Sequence, residues 1–216
     1  MKLSAFAKIA KKSHETVVFT KGFQTGESSH GEMILSNGSA LYRCGCIPEV
    51  FGEPQICALL DITQKQREKI LITEHSYESL KDIAAGFNLE DGETPDEADT
   101  EECKIRISYN GKDFVALKCG DGETVFYNSN FLAPLREEVD SPYFKIRSRI
   151  SAGGAGGKRF RYLIAKDGFR TLAAFMPIIA LTDEFMKDLN AFVEDCTMQK
   201  QIEDNRIAEC REAKSK

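Results

Sequence analysis

The sequence predicts an α+β fold: antiparallel sheets with a few short helices, plus a C-terminal amphipathic helix. Three observations predict it. Two Asn-Gly dipeptides, Asn37-Gly38 and Asn110-Gly111, each lie between runs of strand-forming residues, which is a strong hairpin signal. Residues 123–178 read as strand, helix and then three strands. A stripe of Phe185, Leu189, Phe192, Val193 and Cys196 recurs at helical spacing near the end.

The elements follow in order. Residues 3–12 place Leu3, Phe6, Ala7 and Ala10 on one helical face, with Lys2, Lys8, Lys11 and Lys12 around the rest. Val17-Val18-Phe19-Thr20 predicts a strand, and residues 22–31 a polar loop. Residues 33–44 form the first Asn-Gly hairpin, whose turn should need positive φ at both central residues. Pro48, Gly52 and Pro54 predict irregular chain. Residues 55–60 predict a helical turn, and Thr63 can cap another. Ile70-Leu-Ile-Thr73 reads as a strand, and Ser76 as the cap of a short helix carrying Leu80, Ile83, Ala84 and Phe87.

Residues 90–102 are dense in Asp and Glu and poor in apolar groups, which predicts a mobile acidic loop. Residues 104–119 form the second Asn-Gly hairpin. Thr124-Val-Phe-Tyr127 reads as a strand, followed by a compact helix through Phe131, Leu132, Leu135 and Val139. Strands are expected over 144–150, 159–166 and 169–178, and a helix from about Thr182 whose polar second half protrudes or frays. The domain plan is therefore one body, 1–180, and a helix, 181–216. The two hairpins echo each other in Asn-Gly and in Cys44-Gly45 against Cys119-Gly120. The echo is either chance or a sign of two related halves, 1–89 and 103–180, joined by the acidic loop.

Composition bounds the function. With 216 residues the chain can bury a core. The net charge of -5 disfavours a surface that coats nucleic acid all over, but permits a basic patch on an acidic body. Mean hydropathy is -0.34, and no apolar run approaches the roughly 20 residues of a membrane helix. The start of the chain has no apolar leader core, so a cytoplasmic protein with reduced thiols is expected.

The seven cysteines are scattered, and Cys44-Gly-Cys46 has no second pair at zinc spacing. His14, His30 and His75 are isolated, and no nucleophile signature occurs. No metal, no cofactor and no catalytic residue are assigned. The glycine-rich stretch Gly153-Gly-Ala-Gly-Gly157-Lys158 leads into a strand instead of a helix, so it lacks the helix N-terminus of a phosphate loop.

The basic residues beside that loop are more informative. Lys145, Arg147 and Arg149 share one face of their strand, and Arg159 and Arg161 share one face of theirs. If Arg149 pairs with Arg159 and Arg147 with Arg161, all five cations lie on one side of a ribbon. Like charges opposite each other destabilise a sheet. An anionic partner is then implied, either nucleic acid or Asp/Glu from elsewhere in the chain.

Tyr127-Asn-Ser-Asn-Phe-Leu-Ala-Pro-Leu135, Tyr162-Leu-Ile-Ala-Lys-Asp-Gly168 and Ala174-Phe-Met-Pro-Ile178 together resemble the closing half-domain of DNA sliding clamps. The N-terminal helix followed by hairpins is similar to the opening half, so the resemblance spans residues 1–180. It implies a non-enzymatic, DNA-clamp-like processivity factor that encircles duplex DNA and works with replication proteins. It also implies that Lys2, Lys8, Lys11 and Lys12 touch the phosphate backbone without reading sequence. Three features depart from the pattern. Arg136-Glu137-Glu138 is acidic where a channel-lining helix would be basic, the ribbon cations fall on the sheet, and the final helix is additional.

Two function classes follow. One is a DNA-associated protein that uses Lys2, Lys8, Lys11, Lys12, Lys145, Arg147, Arg149, Arg159 and Arg161 on duplex DNA. The other is an assembly protein, without DNA binding, whose final helix offers Phe185, Leu189 and Phe192 to a partner or to a second copy in a homo-oligomer.

Overall fold

The computed structural model describes the chain except residues 26–27, 49–51, 81–86, 136–141, 151–158, 178–182 and 215–216. The chain begins with helix α1 (Leu3–Ala10) and strands β1 (Glu15–Thr25), β2 (Ser28–Ser36) and β3 (Ala40–Pro48). Two short helices follow, α2 (Gly52–Leu59) and α3 (Gln64–Arg67), and then β4 (Leu71–Ser76). The rest is β5 (Ala98–Tyr109), β6 (Lys112–Cys119), β7 (Thr124–Asn128), β8 (Tyr143–Ile150), β9 (Arg159–Asp167), β10 (Arg170–Phe175) and helix α4 (Asp183–Lys214). The fold is mixed α+β. One 10-stranded sheet runs in the order β4-β1-β2-β3-β10-β9-β8-β5-β6-β7. Its pairs are antiparallel except β1 with β4.

Two meanders, β1-β2-β3 and β8-β9-β10, meet at a seam where Tyr42, Leu41 and Ala40 pair Ala173, Ala174 and Phe175. Both faces of this sheet are covered. On the first, Val18, Met33, Leu35, Tyr42, Leu163 and Phe175 pack with Phe6, Ala7 and Ala10 of α1 and Ile56 of α2. The β6-β7 hairpin belongs to the same core: Tyr127 lies 5.5 Å from Phe144 and 6.3 Å from Phe175, ring to ring. On the second face, Val17, Phe19, Ile34, Leu41, Tyr162 and Ile164 pack under Leu80, Phe87 and Leu89. A third, small cluster joins Phe114, Ala116 and Phe126 to Met186 and Leu189 of α4.

Local chemistry explains several elements. Asn110 (φ 49) and Gly111 (φ 69) are both left-handed, and Tyr109 pairs Lys112 across them, as a two-residue mirror-image turn requires. The first Asn-Gly turn differs. Only Gly38 has positive φ there (81°). Asn37 instead accepts hydrogen bonds at Oδ1 from the Ser39 and Ala40 amides, at 3.1 and 2.8 Å. The short Asn side chain offers its own turn in competition with the backbone pattern. Ahead of α3, the Thr63 amide donates to Gln66 Oε1 at 2.9 Å, half of a reciprocal cap.

Three expectations are corrected. Residues 22–25 and 28–31 are not a polar loop: β1 and β2 stay paired out to Thr25 and Ser28. The sequence there shows no apolar alternation to announce the pairing. Ser129–Leu132 is a short 3-10 helix, and the rest of the helix expected through Val139 lies partly outside the described residues. The acidic run is not one loop, since residues 98–102 begin β5. As for the two hairpins that echo each other in sequence, β2-β3 lies between β1 and β10, and β5-β6 between β8 and the edge strand β7.

Candidate nucleic-acid interface

The helical layer on the first face holds the N-terminal lysines. Phe6 and Ala10 are fully buried, which fixes the rotation of α1 and turns Lys2, Lys8 and Lys12 outward. The Lys2 amide donates to the Pro134 carbonyl at 2.7 Å, so α1 begins beside the turn after β7. Lys11 leans against the α2–α3 connection and pairs Asp61 at 3.0 Å. Such a surface pair is worth no more than about 1 kcal/mol, so it can exchange for a phosphate. The same layer carries exposed Lys65 and Lys69, and Arg67, which pairs Glu53. No Asp or Glu occurs in residues 1–14.

The basic ribbon is arranged differently from the sequence expectation. β8 and β9 do pair antiparallel, but Arg147 stands opposite Tyr162, Ser148 opposite Arg161, and Ile150 opposite Arg159. The register is one residue off the pairing that would gather the five cations. Lys145 and Arg147 therefore fall on the second face, and Arg161 on the first. The side chains of Arg149 and Arg159 lie outside the described residues.

The other three ribbon cations are held by the chain's own acids. Arg147 is fully buried. It donates to Glu97 Oε2 at 2.9 Å through Nε, to the Asn88 carbonyl at 2.8 Å, and to the Glu90 and Gly92 carbonyls at 3.1 and 3.2 Å. Lys166 is nearly as buried, and its Nζ donates to Glu97 Oε1 at 2.8 Å and to the Gly92 carbonyl at 2.6 Å. Lys145 sits at the margin, 3.1 Å from Asp99 and 3.6 Å from Glu93. The hydrogen bond to Asp99 raises the Lys145 ammonium above its ordinary value. Arg161 pairs Asp121 and Glu123 and so ties the β6–β7 turn to β9. Of the two partners the sequence left open, internal carboxylates hold these three side chains.

Glu97 is the centre of that group. Burial by itself would raise its pKa, but hydrogen bonds from Lys166 and Arg147 outweigh burial and hold it below the ordinary carboxylate value. Asp96 is also lowered: burial opposes ionisation, and hydrogen bonds from Thr94 and from the Ser148 amide win. Sequence reasoning missed Glu97 and Lys166. One signal was available: Tyr162, Ile164 and Lys166 alternate along one face, so Lys166 continues an apolar row.

On α4, Leu189 is half-buried against the Phe114 cluster, while Phe185 and Phe192 are 44% and 57% exposed. From residue 194 to 209 every described side chain is exposed. The structure thus separates Leu189, a packing residue, from Phe185 and Phe192. Burial raises the thiols of Cys44, Cys57 and Cys103, and pushes Cys119 up to about 12. Among the described residues no group of three or more His, Cys, Asp or Glu could hold a metal ion. No described helix is long and apolar enough to cross a membrane. No family model, curated protein or solved structure matches the chain.

Proposed function

We propose that the chain is a non-enzymatic, DNA-associated protein of sliding-clamp-like build, which rests its helical face on the phosphate backbone of duplex DNA as a replication accessory. One observation carries the reading. The α1–α3 layer gathers Lys2, Lys8, Lys11, Lys12, Lys65 and Lys69 on the first face, while the acidic segment around Glu97 covers the second. A body of net charge -5 then presents a locally basic side to a polyanion. The ribbon residues Lys145, Arg147 and Arg161 act inside the protein in this reading, because their cations are already matched by carboxylates. Burial makes the thiols of Cys44, Cys103 and Cys119 poor nucleophiles, so none of these three is assigned a catalytic role in this reading. The test is an anisotropy titration of a labelled duplex at several salt concentrations. Affinity should fall steeply with salt, by a log–log slope of about 0.9 for each phosphate contacted. Affinity that is absent, or insensitive to salt, removes the proposal.

A second reading is assembly through α4, by self-association or with replication proteins. It is favoured by the exposure of Phe185, Phe192, Met198, Ile202 and Ile207 along one helix. Truncation after Pro177, read by light scattering, separates the two. Loss of an oligomer with no DNA binding in either form supports assembly alone.

A further inference from the structure

We infer that residues 87–97 form an ion-locked strap, with Glu97 as its key, which lifts from the second face of the sheet as a unit while the strands beneath stay folded. The strap crosses four strands. The Asn88 amide donates to Tyr162 Oη on β9 at 2.9 Å. Asp91 Oδ1 accepts from Arg43 on β3 at 2.6 Å and from the Thr171 amide on β10 at 2.8 Å. Asp96 Oδ2 accepts from the Ser148 amide on β8 at 3.1 Å. Gly92, at φ 82°, turns the strap so that its carbonyl meets Lys166 and Arg147 together. Among the described contacts, Phe87 and Leu89 anchor it by apolar packing.

The charge balance makes this arrangement conditional. Arg147 and Lys166 are 0% and 1% exposed in the side chain, and the carboxylate buried between them belongs to Glu97, at 2%. Without that charge two buried cations face each other, with carbonyl dipoles on both and the neighbouring Asp96 beside Arg147. Both cations stand on inner strands paired on each side, so neither can leave without breaking ladder bonds. Residues 87–97 belong to no strand. Lifting them readmits water to the cations and breaks no strand pairing. It also uncovers the Tyr162 and Ile164 face, where Phe87 now sits 4.7 Å from the Tyr162 ring.

Hydrogen exchange read by mass spectrometry on the full chain tests this. In Glu97→Gln, amides of residues 87–97 should exchange roughly 100-fold faster and lose most of their protection, while β1, β2 and α1 stay protected, and an apolar dye should bind more strongly. Unchanged protection of the strap overturns the inference, and so does a variant in which β1, β2 and α1 are left as unprotected as the strap. Wild-type protein decides the matter even if the variant does not fold. In low denaturant its strap should exchange through an opening of smaller denaturant dependence than β2 and β3. Exchange of the strap only with global unfolding overturns the inference.

Discussion

Glu97 shows how much can rest on one side chain. Removing one partner from a buried charge group costs about 3–5 kcal/mol, because the charges left behind are uncompensated. Glu97→Gln should therefore lower the unfolding free energy by that order, whereas Glu93→Gln, at a 75% exposed side chain, should change it by less than about 1 kcal/mol. Chemical denaturation of both variants checks the contrast. The same residue sets an acid limit. Its carboxyl faces Lys145 and Arg147 from β8 and Lys166 from β9, with Glu93, Asp96 and Asp99 nearby. A carboxyl whose folded pKa is depressed adds stability that is present above its unfolded value, near 4.3, and is lost as pH falls through the folded value. The denaturation midpoint should be level near neutrality and fall below about pH 4. The fall should be shallower in Glu97→Gln. Only part of this was legible in advance: internal Asp or Glu was one of two partners open to the ribbon cations, but charge density in residues 90–102 looks the same whether the acids are solvated or meet buried cations from residues far along the chain.

Elements were more legible where a side-chain period or a turn dipeptide marks them. The helical period of Phe6, Ala7 and Ala10, the Asn110-Gly111 turn and the start of α4 are all local signals. The register of β8 on β9 is not. Residues opposite each other could be assigned only by assuming one solvated face, and here both faces are covered, so Arg147 lies beside Tyr162 inside the protein. For α1, Lys8→Glu with Lys12→Glu should weaken duplex binding and reduce the salt slope by about 2, with little change in stability, since both side chains are exposed. Charge reversal with no effect on affinity would detach α1 from the proposed interface. For α4, removal of residues 198–214 should leave the melting temperature nearly unchanged, because the described part of that stretch is exposed throughout. Val193→Ala, at a site 5% exposed, should cost about 1–2 kcal/mol. A thermal melt of each checks the boundary between the docked and protruding parts of the helix.

At the scale of the molecule, the acidic total conceals an uneven distribution: exposed Lys2, Lys8, Lys12, Lys65 and Lys69 lie in the helical layer of the first face, while the cations of the second face, Lys145, Arg147 and Lys166, are matched by carboxylates. The seam between the meanders has a consequence for how this arrangement is reached. Leu41 on β3 pairs Ala174 on β10, so every element from α2 to β9 lies in the loop that this pairing closes. Closing so long a loop is slow, and topologies rich in such contacts fold slowly. Until β10 arrives, β3 is an open edge carrying Leu41 and Tyr42, the kind of strand that pairs with the wrong neighbour. Newly made protein should therefore be most prone to aggregate before residues 170–175 join the sheet, and refolding yield should fall with protein concentration.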